Sequence, residues 1–95
     1  MVAETKTEHP HIVRVRRPAG EEAVIAGTRI GAWFIVRQLR AGDTPEGIVS
    51  SLPHLTLAGV YDAISYYHDH RAEIDPLVEY GDRMAAQHDA PPAHS

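Results

Sequence analysis

The sequence predicts a mainly α fold: a trihelical helix-turn-helix core, preceded by a short N-terminal β-hairpin and followed by a C-terminal helix. Three observations predict it. Two helix-start signals, Thr44-Pro45 and Thr56-Leu57, flank a Leu52-Pro53 break, which reads as two short helices meeting at a sharp angle. An apolar stripe with helical spacing precedes them. Upstream of that, apolar and basic residues alternate and then meet a turn signal.

Met1 to Pro10 is polar and is expected to be a flexible arm. In His11–Arg17, "HIVRVRR", the apolar residues Ile12, Val13 and Val15 are interleaved with Arg14 and Arg16, as in a half-buried strand. Pro18-Ala19-Gly20 is a turn signal, and "AVIA" (23–26) is a second apolar run able to pair with the first. An isolated hairpin is marginal in water, so it must pack on something or pair with another chain. Residues 31–40 read as a helix, with Trp33, Val36 and Leu39 on one stripe and Gly42 placed to end it. Thr44 caps the next helix, Ile48, Val49 and Leu52 form its apolar face, and Pro53 stops it. Thr56 caps the third helix, in which Leu57, Val60, Tyr61, Ile64, Tyr67 and His68 follow the amphipathic pattern. Asp75-Pro76 reads as a further cap and start, for a weaker helix with a thin stripe of Leu77, Tyr80 and Met84. Residues 85–95 read as a Pro- and Ala-rich tail. The expected organisation is an arm (1–10), a hairpin plus helix-turn-helix domain (11–75), and a C-terminal helix with a disordered tail (76–95).

Composition narrows the function. The 95 residues suit one domain, and the absence of cysteine excludes disulfides and thiolate chemistry. No apolar run reaches the roughly 18 residues of a membrane span, and "MVAETKTEHP" lacks the apolar centre of a signal peptide, so a cytoplasmic protein is expected. The net charge of −4 is unevenly spread. Residues 1–40 carry seven cations against four acids, and residues 41–95 carry two against nine. The first half suits nucleic acid and the second suits a basic partner.

The third helix holds the slot of a recognition helix, yet Ala41 to His70 contains no Lys or Arg. Thr56, Ala58, Gly59, Asp62 and Ala63 are poor readers of base edges, so a packing role is expected for it. The candidate DNA contacts are Arg14, Arg16 and Arg17 on the strand, with Arg29 and Arg40 reaching phosphates. The other reading of these cations is an edge kept charged against strand addition. The seven histidines are too scattered for a metal centre: His9 and His11 are two ligands where a structural site needs four, and His68 and His70 point apart on a helix. No metal, cofactor or catalytic residue is expected. Asp62, Asp69, Glu73 and Asp75 read as solvated surface, and the chain is not expected to be an enzyme.

The segment Ile25–Asp75 resembles a family of small bacterial helix-turn-helix proteins, long described as a domain of unknown function and now as VapB-type antitoxins. The matching features are "GTRI", a helix opening with Trp33, "LRAGDTPEGIV", "PHLTLAGVYDAISYY" and "DHRAEID". Gly31, Gly47 and Gly59 depart from the usual proline and acidic residues. The resemblance implies a homeodomain-like, often dimeric fold. It also implies a type II toxin-antitoxin role, neutralising a PIN-like ribonuclease toxin and possible operon autoregulation through operator DNA. A stand-alone DNA-binding regulator is the alternative. Family toxins gather carboxylates around a metal, so an arginine is the expected weapon against them. On this ground Arg83, with Leu77, Tyr80 and Met84, is the expected toxin-binding set. A homodimer is expected because the hairpin has unpaired edges and the core is small.

Overall fold

The computed structural model describes residues 4–18 and 20–89, the side chains of 87–89 excepted. Among these residues are four helices and one three-stranded antiparallel sheet, so the fold is a mixed α/β domain. The mainly α expectation, with only a two-stranded hairpin, is corrected on this point. The missed strand is β1 (Glu4–Lys6), which lies in the stretch expected to be a flexible arm. All three of its residues are exposed, so it carries no apolar alternation and joins the sheet through its backbone alone.

β1 pairs with β2 (Ile12–Arg17), Thr5 opposite Arg14, and β2 pairs with β3 (Gly20–Ile25), Val13 opposite Val24. Side chains alternate across a strand. Ile12, Ala23 and Ile25 therefore enter the main core, while Val13, Val15 and Val24 form a second small apolar cluster on the other face. The same alternation puts Arg14 on the face of Ile12, towards the helices.

α1 (Ala32–Arg40) ends in a Schellman motif: the Gly42 N–H donates to the Leu39 carbonyl and the Asp43 N–H to the Gln38 carbonyl, both at 3.0 Å. Gly42 has φ +101°, which is why glycine stands there. α2 (Pro45–Ser51) and α3 (Leu57–Asp69) open on threonine caps, the Thr44 and Thr56 hydroxyls each accepting the N–H three residues on at 3.0 Å. α3 lies on β2 and β3, and α1 packs against both α3 and α4.

α4 spans Arg71–Asp89 and so begins five residues before Pro76, where the sequence placed its start. The His70 carbonyl accepts the Glu73 and Ile74 N–H groups, so His70 is the only joint between α3 and α4. Pro76 deprives α4 of one backbone hydrogen bond, to Ala72. Burial offsets that loss. Ile74 and Val78 are both fully buried, each worth about 1.5–3 kcal/mol. Gly81 continues their row and lets Trp33 approach: a Cβ there would stand 2.9 Å from the indole Cζ3. The row holding α4 down is thus Ile74, Val78 and Gly81, and the stripe of Leu77, Tyr80 and Met84 lies beside it. The tail expected from Ala85 is helical as far as Asp89, and residues 90–95 lie outside the described residues.

Candidate functional site

Three of the five arginines expected to touch DNA are engaged within the chain. Arg14 donates from Nη1 to the Tyr66 hydroxyl at 2.7 Å and to Glu73 at 2.9 Å, and from Nε to Glu21 at 3.1 Å. These bonds, Glu73 foremost, raise its pKa further. Burial, reinforced by Glu73, pushes the Tyr66 phenol up to about 12. Arg17 pairs with Glu22 at 3.0 Å, and Arg40 donates to Tyr67 at 2.8 Å and to Asp75 at 3.2 Å. Arg16 and Arg29 are exposed, with no carboxylate within 4 Å among the described residues. Both line a shallow hollow with Arg17, Thr28 and Glu4.

The outward face of α3 is apolar rather than basic. Leu57 is 41% exposed and Tyr61 52%, with Ala58, Ser65 and His68 also open to solvent. On α4, Tyr80 is 57% exposed, and the Arg83 guanidinium carbon lies 6.0 Å from its ring centre. Arg83 is exposed and has no carboxylate within 4 Å among the described residues, whereas Arg71 lies 3.7 Å from Asp75. Leu77 and Met84 are half-buried. The structure therefore turns two of the four expected toxin contacts, Tyr80 and Arg83, outward together.

A further cluster forms where the N-terminal segment crosses α3. The Thr7 hydroxyl accepts the His9 N–H at 3.1 Å and donates to the Ile12 carbonyl at 2.7 Å. This turn swings His9 inward until it is 8% exposed. Its Nδ1 lies 3.0 Å from Asp62 Oδ1 and its Nε2 2.8 Å from Asp69 Oδ2. Asp62 also accepts the His11 N–H at 2.7 Å. The Tyr66 ring packs edge-on to His9 and stacks on His70 at 4.2 Å, and His70 Nε2 lies 2.8 Å from Glu8 Oε2. Burial alone would lower the His9 pKa, but the hydrogen bonds to Asp62 and Asp69 prevail and hold it above the ordinary histidine value. The His70 hydrogen bond holds the Glu8 carboxyl below its ordinary value.

None of the four acids read as solvated surface is unattached. Asp62 and Asp69 hold His9, Glu73 holds Arg14, and Asp75 holds Tyr67 and Arg40. Their partners lie up to 60 residues away, beyond any local pattern. One signal was present in the sequence. Asp62, Tyr66 and Asp69 share a helix face, and two carboxylates two turns apart, about 10.5 Å along the axis, can bracket one imidazole.

No curated protein and no solved structure matches the chain. The profile of the family described as "Protein of unknown function (DUF433)" matches residues 12–67, from the start of β2 almost to the end of α3. That is well over half of the chain, and the protein belongs to the DUF433 family.

Proposed function

We propose that this protein is a binding protein of the antitoxin kind, which docks on a PIN-like ribonuclease toxin through the outer face of α4 and is not itself a catalyst. One observation carries the reading: Arg83 stands exposed beside exposed Tyr80, on a helix whose opposite row is anchored in the core. A guanidinium with no carboxylate partner among the described residues suits a carboxylate-rich nuclease centre, where a bidentate pair is strong and geometrically selective. Tyrosine is a favoured anchor beside it. The resemblance of Ile25–Asp75 to VapB-type antitoxins supports the same reading, as does the acidic second half, which offers few competing cations. Such a protein acts in the cytoplasm.

The test uses the full chain and a PIN-like ribonuclease, taken from the adjacent reading frame where one is encoded there. Arg83→Glu and Tyr80→Ala should each weaken binding at least tenfold and leave the melting temperature unchanged. Full binding by both variants refutes the docking face. Deleting residues 77–95 is a poorer test, because it also removes Val78 from the core. Self-association as a homodimer would use the outer edge of β1, one of the two edges of the sheet. Light scattering that shows only 10.5 kDa chains ends that part of the reading.

A DNA-binding regulator is the second reading, favoured by exposed Arg16 and Arg29 beside Arg17. It predicts that changing these three to Ala weakens promoter binding and flattens its salt dependence. The absence of Lys and Arg along α3 argues against base readout by that helix.

A further inference from the structure

We propose that Glu8, His9 and Asp69 form a binding site for one divalent transition-metal ion, of which zinc is the representative. The proposal stands apart from the docking face on α4 and does not depend on it. Glu8, His9 and Asp69 each offer one ligand atom, and the three atoms all lie within 4.8 Å of one another. Nε2 is 2.8 Å from Asp69 Oδ2 and 3.9 Å from Glu8 Oε2. Zinc bonds of about 2.0–2.2 Å in a tetrahedral shell separate ligand atoms by roughly 3.3–3.6 Å. One of these separations lies below that range and one above it, and the separation between the two carboxylates is at most 4.8 Å, so shifts of about 1 Å would close the three donors on an ion.

The surroundings are those of a supported ligand set. The His9 side chain is nine-tenths buried, and its other ring nitrogen faces Asp62 Oδ1 at 3.0 Å. This is the carboxylate–histidine arrangement that fixes the tautomer and ring orientation of a metal-bound imidazole. Asp62 is itself fixed, with a side chain 13% exposed that accepts the His11 N–H. His70 supports Glu8 in the same way, at 2.8 Å. One neutral imidazole and two carboxylates carry two negative charges, which a divalent ion balances. Three protein ligands leave a fourth position open to water or to a group from a partner. The site joins the segment between β1 and β2 to the C-terminal end of α3, so an ion there crosslinks residues 60 apart in sequence.

The test is titration of zinc chloride into the metal-free full chain, followed by calorimetry and by competition with a chromophoric chelator. One equivalent should bind with a Kd in the micromolar range or tighter, and the melting temperature should rise with zinc concentration. Asp69→Asn and Glu8→Gln should each weaken binding at least tenfold. Both side chains are more than half exposed, so neither change threatens the fold. Asp62→Asn should weaken it about 10- to 100-fold through the orientation of His9. His54→Gln, on the exposed α2–α3 connection, should change nothing. Failure of the wild-type chain to bind a stoichiometric ion overturns the proposal and leaves a hydrogen-bonded latch only. Undiminished binding in both Asp69→Asn and Glu8→Gln overturns it as well, because the ion then sits on other histidines.

Discussion

Replacing Arg14 by alanine should cost stability, although sequence reasoning placed Arg14 among DNA contacts. Its side chain is 29% exposed and that of Glu73 26% exposed, so the pair is partly withdrawn from water. The bonds to Glu73 and to the Tyr66 hydroxyl are charge-assisted, each worth about 1.5–3 kcal/mol. The Glu21 contact involves a carboxylate 44% exposed and adds about 1 kcal/mol at most. The sum is not fully realised. Glu73 keeps its hydrogen bond from Tyr66 at 2.9 Å when Arg14 is gone, and water reaches its exposed quarter. A net loss of about 2–3 kcal/mol remains. For a domain of this size that lowers the melting temperature by roughly 10–20 °C. Arg16, two residues along the same strand, is exposed and unpaired among the described residues, so Arg16→Ala should stay within about 0.5 kcal/mol. Circular-dichroism melts of the two variants make the comparison. A double-mutant cycle of Arg14→Ala with Glu73→Ala should show coupling of about 1 kcal/mol or more. Equal melting temperatures for Arg14→Ala and Arg16→Ala, or no coupling in the cycle, would refute the assignment of Arg14 to the fold.

The Asp75 carboxyl is held below its ordinary pKa, chiefly by the Tyr67 hydroxyl at 2.6 Å, with Arg71 and Arg40 adding to it. Its contribution to stability is present above the unfolded value of about 3.9 and is lost as pH falls through the lower folded value. NMR titration should place the Asp75 midpoint below that of a free aspartate. Tyr67→Phe should move it up, and an unmoved midpoint rules out the hydroxyl as cause. Thr56→Ala should destabilise the protein by about 1 kcal/mol in a chemical melt, and Thr56→Asp should keep most of that, because only the side-chain acceptor matters. Gly81→Leu forces side-chain atoms into the indole of Trp33 and should cost about 1–3 kcal/mol. Trp33 is the only tryptophan, so its fluorescence should shift, and an unchanged emission maximum would mean that α4 does not lie against it.

Where the chain speaks through local pattern, sequence and structure agree closely. Thr44-Pro45 and Thr56 mark caps that the hydroxyls make, and Gly42 ends α1 with the positive φ that suits it. β1 was illegible because three polar residues pairing through their backbone have no hydrophobic signature. The start of α4 was misplaced because Asp75-Pro76 resembles a cap. Burial of Ile74 and Val78, on the row beside the visible stripe, carries the helix through the proline instead. The His9 cluster was hidden by distance. Sequence alone sets His9 beside His11, a pair too small for a metal centre, whereas its partners are carboxylates two turns apart on α3. The bonds of Arg14 to Tyr66 and Glu73 were not legible, because alternation shows that a residue shares a face, not whether that face looks towards solvent or towards α3.

The packing of α4 across α1 bears on how this domain can be cut. The family match stops at Tyr67, and a fragment trimmed to residues 12–67 would look complete by sequence. It would lack Ile74 and Val78, both wholly buried, and Glu73, which engages Arg14. It would also lose His9 and Asp69, leaving Asp62 without the imidazole that faces it. The bare side of α1, with Trp33 no longer covered by Gly81, would become a greasy strip open to whatever protein came near. A library of such trimmed fragments would score as aggregating or promiscuous, and the fault would belong to the scissors rather than to the family.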